Sequence, residues 1–339
     1  MKVCIVGLGA IGGLFAAWLG RRLPPGEVTL SALARGSTLA AVREGGLRLH
    51  GDNTPVPLNA SDDPAALGPQ DLVILAVKGP ALGAVAPAVH ALLAPHTQVL
   101  VAMNGVPWWF FDGLGGPCEG WSLDSVDPGA MVRSLIPSHH VVGCVVHLSA
   151  TVPAAGQVKH VNGNGLIVGR PAGGVDEGLR AWGALFERAG YAVTLSERIQ
   201  REVWFKLWGN MTMNPVSALT GAPCDRILDD PLVRGFCSAV MREAQTVGAA
   251  LGIPIEQAPD ERHAVTRKLG SFKTSMLQDV EAGRALELDA LVGAVREIGT
   301  RLALPTPNID ALFGLARLMA RQRGLYPQDQ VLTSADTTA

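Results

Sequence analysis

The chain has 339 residues, with 28 basic and 30 acidic side chains, a formal net charge of -2 and 48% hydrophobic residues. The length favours about two domains, and the composition supplies enough apolar side chains for a sizeable core. The near-balanced charge excludes a strongly basic nucleic-acid-binding surface, and no apolar run after the first twenty residues approaches the roughly 18 residues of a membrane-spanning helix.

The cysteines and histidines indicate neither a disulfide framework nor a metal site. The cysteines are odd in number and show no C-x-x-C spacing; they are Cys4, Cys118, Cys144, Cys224 and Cys237. The adjacent His139 and His140 fall in a loop-like stretch, which favours a solvated pair over a metal site. We therefore expect a protein of the reducing cytoplasm that holds no metal.

The first twenty residues are typical of a strand, a glycine turn and a helix. Lys2 to Val6 is a short β-branched run, and an apolar helix follows the turn. The turn is a G-x-G-x-x-G formed by Gly7, Leu8, Gly9, Ala10, Ile11 and Gly12. In a dinucleotide site the first glycine permits the turn, the second admits a pyrophosphate and the third allows helix and strand to pack. A secretory signal is the alternative, but five glycines in the run and Arg21-Arg22 after it argue against one.

The second predicted strand indicates which dinucleotide is bound. Val28 to Leu33 ends in Ala34-Arg35-Gly36-Ser37-Thr38, where an NAD-specific domain would carry an acidic residue for the ribose hydroxyl. A guanidinium and two hydroxyls suit a 2′-phosphate, whereas a carboxylate would repel one. We therefore predict NADP rather than NAD, with a solvated arginine at Arg35 as the alternative.

Two further apolar strands end in polar side chains. Asp71 to Val77 is followed by Lys78, and Gln98 to Ala102 is followed by Asn104 within Met103-Asn104-Gly105. Ligands of open α/β sheets bind at the carboxyl edge, so both side chains are candidates for cofactor contacts. Because asparagine is also common in turns for backbone reasons, Asn104 has that second interpretation.

Residues 106–197 are predicted to complete the first domain. Trp108-Trp109-Phe110-Phe111 follows Asn104 and favours a hydrophobic lid or an interface over a substrate wall. The remaining predicted elements are short strands at Val141 to Val146, Gln157 to Val161 and Leu166 to Val168, a helix from Asp176 to Ala189, and a strand from Tyr191 to Ser196.

From Arg198 the pattern is helical, so we place the domains at 1–197 and 198–326, with a loose tail at 327–339. Val203 to Met213 is an apolar helix on which Lys206, Asn210 and Asn214 are spaced at i, i+4 and i+8, along one stripe. Because most neighbouring residues are apolar, we expect the stripe to line an internal cleft. The alternative is a lysine extending over two surface amides.

The remaining helices place two acidic residues close together. Asp260 to Val280 reads as one helix, and Leu288, Leu291, Val292 and Val295 begin another at i, i+3, i+4 and i+7. Glu287 and Asp289 then fall in its first turn, where the helix dipole favours carboxylates. Thr306 as N-cap, Pro307 and the stop at Gly324 frame a final helix.

With these motifs in view, the chain resembles the ketopantoate reductase (2-dehydropantoate 2-reductase) family over nearly its whole length. The matching segments are GLGAIGG from Gly7, ARG from Ala34, VKG from Val77, MNG from Met103, KLWGNMTMNP from Lys206 and SMLQDVEAGRALELDAL from Ser275. The resemblance implies an α/β fold in which a Rossmann-type domain precedes an all-helical domain, with the active site in the cleft between them.

The resemblance also implies the roles of individual residues. Lys206 would be the catalytic acid, Asn210, Asn214 and Ser275 would contact the substrate, and Glu287 would contact hydroxyls of cofactor and substrate. Asn104 would lie near the nicotinamide ribose and the substrate, and Arg35 and Lys78 would contact the NADP phosphates. The chemistry agrees, because hydride addition to a ketone creates an alkoxide that a proton-donating cation stabilises.

The expected reaction is NADPH-dependent reduction of ketopantoate to pantoate, a step of pantothenate biosynthesis. Cys224 stands where a family member has an asparagine that contacts substrate, and residues 106–138 are longer and more aromatic than the reaction needs. A bulkier 2-oxo acid is therefore the alternative substrate. A non-catalytic NADP sensor and a β-hydroxyacid dehydrogenase are alternatives of other kinds. The sequence leaves the oligomeric state open, with a homodimer as one option.

Overall fold

The computed structural model describes residues 1–52, 54–268 and 270–328. The chain forms two compact units, Met1–Lys206 and a second that begins at Leu207. This division falls inside one helix, Ile199–Thr220, whereas the sequence analysis placed a boundary before Arg198.

The first unit is built on a mixed sheet of nine strands, in the order β3-β8-β7-β6-β5-β1-β2-β4, with β9 paired to β8. Only the β7–β8 pair is antiparallel among the described pairings within the named strands. The strands are β1 Lys2–Val6, β2 Thr29–Leu33, β3 Arg48–Leu49, β4 Asn59–Ser61, β5 Leu72–Leu75, β6 Gln98–Val101, β7 Val141–Thr151, β8 Gln157–Gly169 and β9 Ala192–Ser196.

Twelve α-helices are described. Those that begin in the first unit are α1 Ala10–Arg22, α2 Gly36–Gly45, α3 Leu82–His90, α4 Met131–Leu135, α5 Glu177–Arg188 and α6 Ile199–Thr220. The second unit contains α7 Cys224–Asp229, α8 Pro231–Ala250, α9 Pro259–Arg267, α10 Ser275–Glu281, α11 Ala294–Arg301 and α12 Pro307–Gln322. Every described element after β9 is helical. The expected fold, a Rossmann-type α/β domain followed by a helical domain, is confirmed.

The central strands are apolar throughout because both faces of the sheet are covered. On β1, Val3 and Ile5 point into the core cluster that contains α1, while Cys4 and Val6 point into the opposite cluster, which contains α3. All four side chains are buried. Such continuous apolar runs are typical of parallel strands buried on both faces.

The aromatic run after β6 belongs to the core and does not form an exposed lid. Trp108, Trp109, Phe110 and Phe111 are each 3% exposed or less. The Trp108 indole donates a hydrogen bond to a backbone carbonyl at 3.1 Å, and the Phe110 ring lies 5.9 Å from that of Trp204. The expectation of a lid or interface is therefore wrong, because all four aromatic side chains are buried within the chain.

Strands β7 and β8 form one long hairpin where the sequence indicated three short strands. The predicted break between Val161 and Leu166 does not end β8, although the register shifts opposite it, between His147 and Ala150. Gly163 has a positive φ of 71°, and a side chain there would meet the His147 carbonyl oxygen at 2.6 Å. The glycines that resembled a turn therefore accommodate a β-bulge.

The second unit departs from the predicted helices in two places. The single helix expected over Asp260 to Val280 is two helices, α9 and α10, and Thr274 begins α10 by accepting a hydrogen bond from the Leu277 amide at 3.2 Å. Helix α6 continues through Pro215 to Thr220 instead of ending at Met213. None of the described helices is both long enough and apolar enough to cross a bilayer.

Candidate active site

The glycine turn has the geometry that a bound diphosphate needs. Gly7 adopts a φ of 93°, and a methyl group on Gly12 would collide with the Gly7 carbonyl oxygen. Gly9, in contrast, has no heavy atom within 4 Å of the position its side chain would take. Helix α1 begins at this open point with no side-chain cap and no acidic residue in its first turn. A helix N-terminus of this kind attracts phosphate, so these residues fit a dinucleotide.

Three further candidates follow neighbouring parallel strands. Arg35 comes after β2 and is the N-cap residue of α2, Lys78 comes shortly after β5, and Asn104 comes after β6. Since β6, β5, β1 and β2 are consecutive parallel neighbours in the sheet, these residues lie at the carboxyl edge with the glycine turn. Arg35 is exposed, and Lys78 and Asn104 are partly buried.

The first unit brings two of the predicted site residues into contact. Lys206 extends from α6, and its Nζ donates hydrogen bonds to Asn104 Oδ1 at 2.9 Å and to the Val146 carbonyl oxygen at 2.7 Å. The two residues are separated by 102 positions in the sequence. Hydrogen bonds from an ammonium are among the stronger ones in proteins, so this pair fixes the lysine head at the sheet edge.

The lengths of two strands explain why a backbone carbonyl is available to Lys206. The last pair between β6 and β7 joins Val101 to Gly143. Strand β7 continues to Thr151, whereas the chain leaves β6 and turns through Asn104. Val146 therefore lies beyond the end of its parallel neighbour, and its carbonyl accepts from the lysine instead of from a further residue of β6.

The buried thiol of Cys144 interacts electrostatically with the Lys206 ammonium. Burial raises the pKa of Cys144 to about 12, and the Lys206 ammonium opposes this rise only in part. The thiol therefore stays neutral at physiological pH and places no negative charge beside the lysine.

The candidates of the second unit lie on three elements. Asn210 and Asn214 are one turn apart on α6, the first partly buried and the second 6% exposed. Ser275 is the exposed first residue of α10. Glu287 is 8% exposed and directly precedes a helical turn, with its carbonyl accepting from the Leu291 amide at 3.3 Å. It was expected inside that turn, and lies one position before its start.

One feature of this region was missed by the sequence analysis, and one that it named is now explained. The carbonyl of Val146 has no signature in a side-chain pattern, and only the unequal lengths of β6 and β7 could have indicated it. Cys224, which the sequence analysis noted as a departure from the family pattern, is 2% exposed, and its backbone amide donates to the Phe272 carbonyl at 3.0 Å. Its burial explains why an apolar thiol is tolerated there.

Both units match models of one protein family. Residues 3–108 match the family described as ketopantoate reductase PanE/ApbA, and residues 198–320 match the model of its C-terminal domain. Together these two models cover more than half of the chain.

Individual relatives agree with the family models. A 2-dehydropantoate 2-reductase from Mesorhizobium japonicum is 42% identical over 332 residues, which cover 96% of this chain and 100% of that protein. The crystal structure of a provisionally assigned ketopantoate reductase from Ralstonia solanacearum MolK2 matches with a TM-score of 0.91. The two sequences are 55% identical, and the match covers 96% of this chain and 99% of that one. The structure of a 2-dehydropantoate 2-reductase from Geobacter metallireducens GS-15 is 25% identical, with a TM-score of 0.80, and covers 94% and 100% of the two chains. This chain therefore belongs to the ketopantoate reductase family, whose members are NADP-dependent oxidoreductases that act on a CH–OH group.

Proposed function

We propose that this chain reduces ketopantoate to pantoate with NADPH, as a step of pantothenate biosynthesis. The observation that carries the proposal is the placement of the Lys206 ammonium against Asn104, at the sheet edge that also presents the open glycine turn. NADPH, when bound, supplies the hydride that reduces the keto carbon. The membership of the family supports this reaction over the non-catalytic sensor.

In this proposal Lys206 is the general acid. Its ammonium carries the proton that the reduced carbonyl oxygen must receive, and its positive charge stabilises the alkoxide as that charge develops. The Asn104 amide and the Val146 carbonyl hold the ammonium in position through the two hydrogen bonds at 2.9 and 2.7 Å. Neither of these two acceptors carries a formal charge.

The remaining candidates keep the roles that the resemblance implied. We propose that Asn210, Asn214 and Ser275 bind the substrate and that Glu287 contacts hydroxyls of substrate and cofactor. The amides and the hydroxyl bind a carboxylate without adding charge near the lysine. On the cofactor side, we propose that the turn from Gly7 to Gly12 holds the diphosphate, and that Arg35 and Lys78 contact the NADP phosphates.

The substrate is tested by following NADPH oxidation with a panel of 2-oxo acids. We expect the highest kcat/KM with ketopantoate. A bulkier or more apolar acid that is turned over better would replace ketopantoate as the substrate while leaving the reaction class unchanged. NADPH and NADH compared on the best acid test the choice of cofactor.

Replacing Lys206 by Ala tests the mechanism. We expect kcat to fall by about a thousandfold or more, since both the proton donor and the charge at the oxygen are lost. The affinity for NADPH, measured by fluorescence titration, should stay nearly unchanged. Lys159→Ala on the exposed face of β8 is the matched control and should behave like wild type. Wild-type turnover in Lys206→Ala would remove this lysine from the mechanism.

Two further expectations stay predictions of the sequence. The five buried thiols suit a reducing compartment, and we propose a cytoplasmic location. A homodimer is tested by measuring the mass in solution.

A further inference from the structure

In the sequence Glu287 lies between Leu286 and Asp289. Both of these residues form hydrogen bonds with Leu325-Tyr326, a dipeptide that follows α12. The amide of Leu286 donates to the carbonyl oxygen of Leu325 at 3.1 Å. The hydroxyl of Tyr326 donates to Asp289 Oδ1 at 2.5 Å. Leu325 and Tyr326 are each 5% exposed, so both hydrogen bonds are shielded from water.

The backbone that follows Glu287 is an unusual helical turn. Asp289–Gly293 is one π-helical turn, in which the Ala294 amide donates to the Asp289 carbonyl, before regular α11 begins. Single π turns inside helices are rare and occur frequently at functional sites.

The segment before Glu287 is also anchored. Arg284 donates through Nε to the buried Asp279 carboxylate at 2.9 Å and through its backbone amide to the Asp279 carbonyl at 2.9 Å. Gly283, with a φ of 64°, lets the chain turn after α10. The short stretch from Arg284 to Asp289 is thus held at its beginning and at its end.

The electrostatics keep the Tyr326–Asp289 hydrogen bond in one direction. Burial and the adjacent carboxylate raise the pKa of Tyr326, so the phenol keeps its proton and remains the donor. Burial also raises the pKa of Asp289, while the Tyr326 hydroxyl and the charges of Arg317 and Arg321 oppose that rise.

We propose that Tyr326 is a positioning residue for Glu287, acting through its hydrogen bond to Asp289. The inference rests on the proposed contact of Glu287 with substrate and cofactor hydroxyls. A carboxylate serves such a contact only if its backbone is held to within a fraction of an ångström. In this proposal the Tyr326 hydroxyl holds Asp289, and with it the start of the π turn, in the observed position.

The test is Tyr326→Phe, which removes the hydroxyl and keeps the ring. We expect kcat/KM for ketopantoate to fall about tenfold, the usual size of one hydrogen bond to a charged group. Tyr191→Phe is the matched control, because the protein has only two tyrosines and the buried Tyr191 hydroxyl has no hydrogen-bond partner among the described residues. Tyr326→Phe should share the thermal midpoint of this control to within a few degrees. Equal kinetics of the two variants would overturn the proposal.

A double-mutant cycle with Glu287→Gln separates positioning from general stability. If Tyr326 acts through Glu287, Tyr326→Phe should cost little further kcat/KM in the Glu287→Gln background. The full tenfold loss in that background would overturn the positioning role alone. Wild-type kinetics in Glu287→Gln would instead show that the proposed role of Glu287 is wrong, and the positioning role would fall with it.

A binding measurement and a pair of substitutions at Asp289 give two further tests. The Kd of NADPH, measured by tryptophan fluorescence, should rise in Glu287→Gln. In Tyr326→Phe this Kd should rise by the same factor or by less. Asp289→Asn keeps an oxygen that accepts from Tyr326 and should retain wild-type kcat/KM, whereas Asp289→Ala should reproduce the loss in Tyr326→Phe. An Asp289→Asn variant as impaired as Asp289→Ala would contradict the hydrogen-bond explanation.

Discussion

Gly9 and Gly12 belong to one motif, yet a methyl group would have opposite effects at the two positions. At Gly12 it would collide with the Gly7 carbonyl, which is backbone and cannot move aside. At Gly9 it would point into open space, and the local φ of -75° and ψ of -161° are ones that alanine adopts. The space beside Gly9 is therefore open to a ligand, whereas Gly12 is required by the fold.

We predict that Gly12→Ala lowers the free energy of unfolding by about 3 kcal/mol or more, the upper range for overpacking a core. Gly9→Ala should keep the wild-type Tm without ligand but weaken NADPH binding by about tenfold or more, because its methyl group takes the place of the diphosphate. Thermal denaturation and fluorescence titration measure the two effects. Gly235→Ala on α8, also in open space, is the control for the exchange itself. A Gly9→Ala variant with wild-type affinity would show that no phosphate approaches this turn.

Among the elements, α12 is a helix whose first turn is capped by a side chain from another helix. Thr306 is its N-cap residue, as predicted, but its hydroxyl makes no capping bond and donates instead to Asp310 at 3.3 Å. The carboxylate of Glu243 on α8 accepts from the Asn308 amide at 3.0 Å, from the Ile309 amide at 2.9 Å and from the Asn308 side chain at 2.5 Å. A carboxylate at this end also complements the helix dipole.

We predict that Glu243→Ala destabilises the protein by about 1 to 2 kcal/mol, the range for loss of a helix cap. Urea denaturation followed by circular dichroism measures the change. Glu256→Ala in an exposed loop removes the same charge without a cap and should stay within about 0.5 kcal/mol of wild type. Equal midpoints for the two variants would contradict the capping role.

The same elements show how far the sequence alone could predict the fold. The strands that carry Arg35, Lys78 and Asn104 could be placed, because long apolar runs ending in polar residues depend on local pattern. The continuous strand β8 could not be predicted. Gly163 resembles a turn residue, but glycine is needed there because a side chain would collide with the His147 carbonyl on β7. The split between α9 and α10 was missed because helical periodicity on both sides obscured the cap at Thr274.

The sequence could predict which side chains belong to the candidate site, but not the contacts between them. The spacing along α6 indicated Lys206 together with Asn210 and Asn214, but the contact between Lys206 and Asn104 joins positions far apart in sequence. Tyr326 was missed because it ends the predicted helical domain, where no periodicity marks it. Its hydrogen bond to Asp289 depends on tertiary packing alone.

On the scale of the whole molecule, both units bury their thiols. All five cysteines are free and buried. Burial raises the pKa of Cys4 and Cys224 to about 11 and that of Cys144 and Cys237 to about 12, and it also raises the pKa of Cys118. Because the thiolate is the reactive form, the folded protein should be nearly inert to thiol reagents.

We predict that at pH 8 a disulfide reagent modifies the native protein slowly, whereas all five thiols react at once after denaturation in guanidinium. A thiol with a pKa near 12 carries roughly a thousandfold less thiolate at this pH than an ordinary cysteine. Absorbance of the released thiolate counts the groups in each state. One thiol that reacts rapidly without denaturant would show that a region of the fold opens readily.

One acceptor of the Lys206 ammonium is the backbone carbonyl oxygen of Val146, and a substitution of this residue does not remove that oxygen. Any amino acid at position 146 presents the same carbonyl, so sequence drift there cannot delete the anchor. A second acceptor, the Asn104 amide, is lost with a single codon change. Among diverging copies of this gene, position 104 should therefore be constrained by its side chain, and position 146 only by the path of the strand.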